Sequence, residues 1–253
     1  MSSNSEDLLK PEWIGTYNTE LDALWSQAVQ LNSCLYLLEK IARFPFNVFM
    51  FRGHLCWTLI AGTLYETCLM AIWRIAVDTG ADVLTLRSFK NELMQNAQDG
   101  AKLLIADRIK SVDFDNRVVT VERSVRQLRR DWLAHLIREV ASVAQAEGKG
   151  MPIIPVDRLK LVRDAINDLI TALSFDAGRA FTYLPYSENV IHPIGTDPRS
   201  DIEKILDHLV ESSPVFSMPE EQPDYWRHAR KSFTEQELTR YNEYRTRLGR
   251  SPA

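Results

Sequence analysis

Residues 19–41, TELDALWSQAVQLNSCLYLLEKI, repeat an apolar side chain at Leu21, Leu24, Ala28, Leu31, Leu35, Leu38 and Ile41. Steps of three and four residues keep those side chains on one face of an α-helix. Thr19 and Asp22 resemble a capping box at its start. Pro45 has no N–H to give and a ring that clashes with the preceding turn, so it closes the helix.

The same reading extends along the chain. A second helix is predicted over 47–79, apolar nearly all round, and therefore expected at the centre of a bundle and ended at Gly80. Within it, Arg74 and Asp78 are spaced to pair; Glu66 is read as buried there, placed either to face the site or to pair with Arg74, the structural role being the simpler reading. Thr85 is expected to cap LRSFKNELMQNA (86–97), with AKLLIADRIKSV (101–112) following Gly100. Asp113-Phe114-Asp115-Asn116 reads as the start signal of a helix over about 117–146. A loop at 148–152 leads to a helix from Asp157 to about Phe181, with Leu159, Val162, Ile166, Leu169 and Leu173 in phase. Beyond Pro185, the proline-rich stretches HPIGTDPRS and SSPVFSMPEEQP flank a short helix, DIEKILDHLVE, and a polar helix, TEQELTRYNEYRTRL, ends the chain. The expectation is all-α: an up-and-down antiparallel bundle over 19–185, a flexible polar segment 1–18 before it, and a helical extension 186–253 after it.

Composition bounds the function. With 45% hydrophobic and 25% charged residues the chain can build a real core, and 10 glycines and 11 prolines in 253 residues favour long regular elements. A net charge of −4 excludes a generally basic surface for nucleic acid, so any RNA contact must come from a local patch. The cysteines, Cys34, Cys56 and Cys68, are odd in number, lie in apolar helical stretches and form no CxxC pair. They read as small buried hydrophobes in a reducing compartment, with no thiolate zinc site. The N-terminus lacks the basic-then-apolar layout of a signal peptide. The most apolar run, Leu55 to Val77, is broken by Glu66 and Arg74, and is read as a core helix rather than a membrane span. A cytoplasmic protein with no membrane partner is expected. There is no GxxxxGK[ST], no GxGxxG at a strand–helix junction and no HExxH. His54, His192, His208 and His228 are scattered without metal-ligand spacing, so neither metal nor cofactor is expected. Trp57 and Trp73 read as core.

Chemistry concentrates in Arg130-Asp131-Trp132-Leu133-Ala134-His135. On an ideal helix Val121, Val125, Leu128, Trp132 and Leu136 form the core stripe, with His135 at its edge. Asp131 stands one turn before His135, where its carboxylate can accept from one imidazole nitrogen and raise the basicity of the other. Arg130 points to the outward side with Arg123 and Arg126, beside Leu133 and Ile137, a face that a neighbouring helix or a second subunit would cover. From spacing alone, a satisfied core-edge histidine and a solvated arginine row paired with Glu122 and Glu139 is the simpler reading.

The pattern Arg-Asp-x-x-x-His, in the setting LRRDWLAH within a long helix, resembles the signature of the HEPN superfamily. The upstream stretch AIWRIAVDTGADVLTLRSFKNEL (71–93) is similar to that of HEPN domains in abortive-infection proteins, nearest to the U-type branch. The likeness covers about residues 20–182. It implies a metal-independent endoribonuclease, a homodimer, acting in phage defence or as a toxin with an antitoxin partner protein. In that scheme His135 moves the proton of a ribose 2′-hydroxyl, and the freed oxygen attacks the adjacent phosphorus. Arg130 holds the phosphate and Asp131 orients the histidine, with Arg126, Arg129 and Arg138 as RNA-backbone contacts. The product is a 2′,3′-cyclic phosphate, and DNA is spared. The resemblance also admits a non-catalytic nucleotide- or partner-binding module, and a purely structural helical protein is the third reading.

Overall fold

A computed structural model describes residues 4–44, 55–80, 82–133, 153–175, 199–212 and 233–249. Among these residues the protein is all-α: α1 (Ser5–Leu8), α2 (Ile14–Arg43), α3 (Leu55–Ile72), α4 (Leu86–Asn96), α5 (Lys102–Val112), α6 (Phe114–Leu128), α7 (Val156–Leu173), α8 (Asp201–Ser212) and α9 (Glu235–Arg247). Two of these helices end in a wide π turn: α3 continues into Trp73–Val77 and α6 into Arg129–Leu133. The chain forms two compact units, residues 1–35 with 65–190 and residues 36–64 with 191–253. The expected division, bundle up to 185 and extension after it, is therefore redrawn. Residues 36–64 group with the C-terminal segment, because the end of α2 supplies part of that segment's core.

In the first unit, α6 packs against α7, α5 packs against α7, and α4 touches α5, α7 and the π turn after α3. Helix α6 buries Phe114, Val118, Val121, Val125 and Leu128, in steps of four and three. Helix α7 answers with Leu159, Val162, Ala165, Ile166, Leu169, Ile170 and Leu173. Each large aliphatic side chain taken from water contributes about 1.5–3 kcal/mol. Between α5 and α6 the chain turns on Asp113, whose φ of 53° lies in the left-handed region. Asp tolerates that conformation better than most residues. Its Oδ1 accepts from Asn116 Nδ2 at 2.7 Å. Thr85 caps α4 as expected: its Oγ1 accepts from the Ser88 N–H at 3.1 Å, and Ser88 Oγ accepts from the Thr85 N–H at 2.9 Å.

The N-terminal segment is not loose over residues 4–18, as the sequence reading had it. Leu8, Leu9, Trp13 and Tyr17 are buried. Leu9 bridges to Ala97, with the Lys10 N–H donating to the Asn96 carbonyl and the Gln98 N–H to that of Leu8, both at 2.9 Å. Helix α2 starts at Ile14, and Thr19 lies inside it, donating to the Gly15 carbonyl at 3.0 Å rather than capping. Tyr17 joins Trp13, Phe89 and Phe175 in an aromatic cluster and stacks on Phe175 at 5.7 Å. Its hydroxyl donates to the Leu173 carbonyl at 2.9 Å and accepts from the Phe175 N–H at 3.1 Å, which closes the end of α7.

Helix α3 is also less buried than expected. From Tyr65 onward it buries Cys68, Leu69, Ala71 and Ile72, yet Leu55 and Leu59 are 69% and 63% exposed. The run Leu55–Val77 is long and apolar enough to cross a membrane by length and composition. Glu66 is exposed. Asp78 does not pair with Arg74. It accepts from the Trp73 indole N–H at 2.9 Å and the Gly80 N–H at 3.1 Å. Of the cysteines only Cys68 is buried. Cys34 is half-buried and Cys56 exposed, so the reading of all three as core hydrophobes holds for one.

The second unit has its own core: Ile41, Phe44, Ile202, Leu206, Val210 and Tyr241, with Phe44 edge-on to Tyr244 at 5.2 Å. The buried Asp207 carboxylate binds Arg199 at 2.8 Å and also Arg247. Glu203 caps the start of α8 through the Ser200 N–H (2.9 Å) and binds Lys40 (2.9 Å). Burial pushes its carboxyl pKa up, but Lys40 and Ser200 outweigh that and hold it below the ordinary value.

Candidate functional site

The arginine row lies on the helix that begins as α6. Its outward face carries Val119, Glu122, Arg123, Arg126, Gln127 and Arg130, at spacings of three and four. These residues line an open cleft of about 610 Å³. Arg123, Arg126 and Arg130 therefore share one face, as the helical arithmetic predicts. Arg123 is exposed, and the Arg130 side chain is 69% exposed.

The π turn at Arg129–Leu133 changes what happens at the motif itself. One extra residue per turn widens the ladder and re-aims its side chains. Asp131, which ideal phasing leaves at a flank, is buried, while Arg130 stays outside. The two side chains then close on one another. Arg130 Nε donates to Asp131 Oδ1 at 2.5 Å, and a terminal nitrogen donates to Oδ2 at 3.3 Å. The guanidinium, with help from Gln127 and against the effect of burial, holds the Asp131 carboxyl below its ordinary pKa, and Asp131 in turn raises that of Arg130. Asp131 is thus engaged by Arg130. His135 and Arg138 lie outside the described residues, so the expected Asp131–His135 hydrogen bond lies outside them too.

Arg126 is fixed from two sides. Its guanidinium donates to Glu122 Oε1 at 3.1 and 2.7 Å and to the Val77 carbonyl at 2.8 Å. Glu122 also binds Arg87 at 3.0 Å, and Arg87 continues to Asp115 (3.0 Å), which Lys90 reaches at 2.6 Å. Arg87 first, then Arg126, hold the Glu122 carboxyl below its ordinary pKa against the effect of burial. Burial pushes the Asp115 carboxyl up, yet Lys90 and Arg87 leave it lowered. The pairing of the arginine row with Glu122 was anticipated. The link through Arg87 to Asp115 was not, since it joins residues 28 and 35 positions apart.

Arg129 does not join the cleft. Its guanidinium carbon lies 4.7 Å from the centre of the Trp73 ring, with Arg126 at 5.6 Å from the same ring. Its Nε is buried with no hydrogen-bond partner among the described residues. Trp73 is half-buried and serves as the platform for this cation–π contact rather than as plain core. The signal for it was present in sequence only as Arg129 falling near the core edge of the helix. Among the described residues no group of three or more His, Cys, Asp or Glu is placed to hold a metal ion. Set against family models, curated proteins and solved structures, the chain matches none.

Proposed function

We propose that the protein is a metal-independent endoribonuclease of HEPN type that acts in phage defence or as a toxin. Arg130 carries this reading. It is a guanidinium that faces solvent beside two further arginines, anchored on a buried carboxylate rather than on water. Such an anchor reduces the side-chain entropy lost when a phosphate is gripped. Facing solvent, the guanidinium has N–H groups directed to a phosphate oxygen, where charge builds as the 2′-oxygen attacks. His135 takes the proton from the 2′-hydroxyl or returns one to the leaving 5′-oxygen, so that a 2′,3′-cyclic phosphate and a 5′-hydroxyl result. Asp131 acts here first on Arg130, by fixing its direction. The working form is a homodimer inside the cell, held in check by a partner protein of antitoxin type.

The deciding experiment compares wild type with His135→Ala and Arg130→Ala on single-stranded RNA in the presence of a chelator. The expected result is cleavage to 2′,3′-cyclic ends by wild type, a loss of about 10²–10³-fold in Arg130→Ala, and none detectable in His135→Ala. Equal cleavage without His135 would falsify the assignment. The close Arg130–Asp131 pair also suits an anion clamp without turnover. Binding of nucleotides by calorimetry, with no cleavage of any RNA by wild type, selects that second reading.

A further inference from the structure

Resting on the nuclease reading, we infer that RNA is gripped along the outward face of α6 as well as at the motif, and that Arg123 binds a backbone phosphate upstream or downstream of the one held by Arg130. Three observations converge on this track. Arg123, Arg126 and Arg130 line the same open cleft, with Glu122 the one acidic residue among its described lining. Arg126 and Arg130 are each held by a carboxylate, on Glu122 and Asp131. Arg123 is exposed and makes no ion pair or hydrogen bond with a described residue, so its full charge is available to a ligand.

The spacing suits a polyanion rather than a single phosphate. Arg123 and Arg130 stand seven positions apart, about 10 Å along the axis. A stacked strand repeats its phosphates about every 3.4 Å, so that length covers about three nucleotide steps. Arg126, about 4.5 Å along the axis from Arg123, falls between them. Arg129 is left out of the track, because it does not line the cleft. Base identity is not read by such contacts. They set the length of RNA engaged and the salt dependence of binding.

The test uses the full chain. A fluorescein-labelled single-stranded RNA is titrated into the His135→Ala protein over a range of salt concentrations, with and without Arg123→Ala. Cleavage kinetics are measured with Arg123→Ala in the otherwise wild-type chain. Each phosphate contact on a single strand contributes about 0.7 to the slope of log K against log salt. Arg123→Ala is expected to make that slope shallower by about 0.7 and to raise KM while leaving kcat unchanged. Arg123→Lys is expected to restore both. Lys102→Ala, which removes a charge at the start of α5, serves as the control for bulk charge. If wild type cuts RNA but Arg123→Ala keeps its slope and KM, or if Lys102→Ala moves the slope equally, the track is wrong and the nuclease stands. If wild type neither binds nor cuts RNA, both fall together.

Discussion

The Arg130 guanidinium rests on the Asp131 carboxylate, its own neighbour in sequence, with Nε 2.5 Å from Oδ1. Adjacent residues on an α-helix point about 100° apart, a gap that the long arginine side chain spans. The pair lies within the π turn at Arg129–Leu133, with Asp131 buried and Arg130 outside, and Arg163 and Asp164 make the same kind of contact on α7 at 2.9 Å.

Asp131→Ala should therefore damage catalysis through Arg130. The guanidinium loses its anchor and samples other directions. Misplacement of a positioning group by about 1 Å costs on the order of a hundredfold in rate. The expected outcome is a fall of that order in RNA cleavage by Asp131→Ala, with Asp131→Glu recovering part of it. Cleavage at the wild-type rate in Asp131→Ala would show that the pair does not position Arg130 for chemistry.

The Arg87–Glu122–Arg126 network predicts an acid-sensitive fold. Glu122 ordinarily titrates at 4.5, and in the folded protein its pKa is lowered, first by Arg87. A carboxylate with a depressed folded pKa contributes stability above its unfolded value and loses it as pH falls through the folded value. Thermal melts of wild type should thus decline from about pH 4.5 downward. Glu122→Gln lacks this contribution, so its deficit relative to wild type should be constant near pH 6–7 and shrink below about pH 4. Parallel curves over the whole range would mean that Glu122 carries no such linkage.

Much of the first unit was legible because its information is local. Val118, Val121, Val125 and Leu128 state their helix face by spacing alone, and Thr85 announces α4 by capping chemistry. The outward placement of Arg123, Arg126 and Arg130 follows from the same arithmetic. What escaped depends on distant partners. Trp13 and Tyr17 are buried by Phe89 and Phe175, far along the chain, so a short polar-looking N-terminus hid a core element. Helix α3 has an apolar composition that suggests burial everywhere, yet composition does not say that Leu55 and Leu59 are left mostly exposed. At the motif, the π turn departs from the 100° step of an ideal helix, and the burial of Asp131 is not stated by spacing. Local strength of pattern, not importance to function, decided what could be read.

Tyr17 offers a direct check on the N-terminal segment. Its hydroxyl satisfies two buried backbone groups, the Leu173 carbonyl and the Phe175 N–H. Tyr17→Phe keeps the aromatic stack and leaves both groups unpaired. An unsatisfied buried polar group costs about 1–3 kcal/mol, and each kcal/mol lowers Tm by about 2–4 °C in a protein of this size. A chemical-denaturation midpoint within error of wild type would argue that the hydroxyl does not close α7.

Hydrogen bonding from the Cys68 thiol on α3 lowers the pKa of Cys34 on α2 from 9.0 to about 7 despite burial. The same bond raises that of Cys68, since its proton is the one shared. The thiolate is the reactive form, so alkylation of Cys34 should rise with pH and level off above about pH 7 rather than above about 9. Cys68→Ala removes the donor and should return the midpoint toward that of an ordinary thiol, whereas Cys68→Ser keeps a donor and should preserve most of the shift. Peptide mapping after iodoacetamide treatment at a series of pH values separates Cys34 from the exposed Cys56. An unchanged Cys34 midpoint in Cys68→Ala would break the link between the two sulfurs.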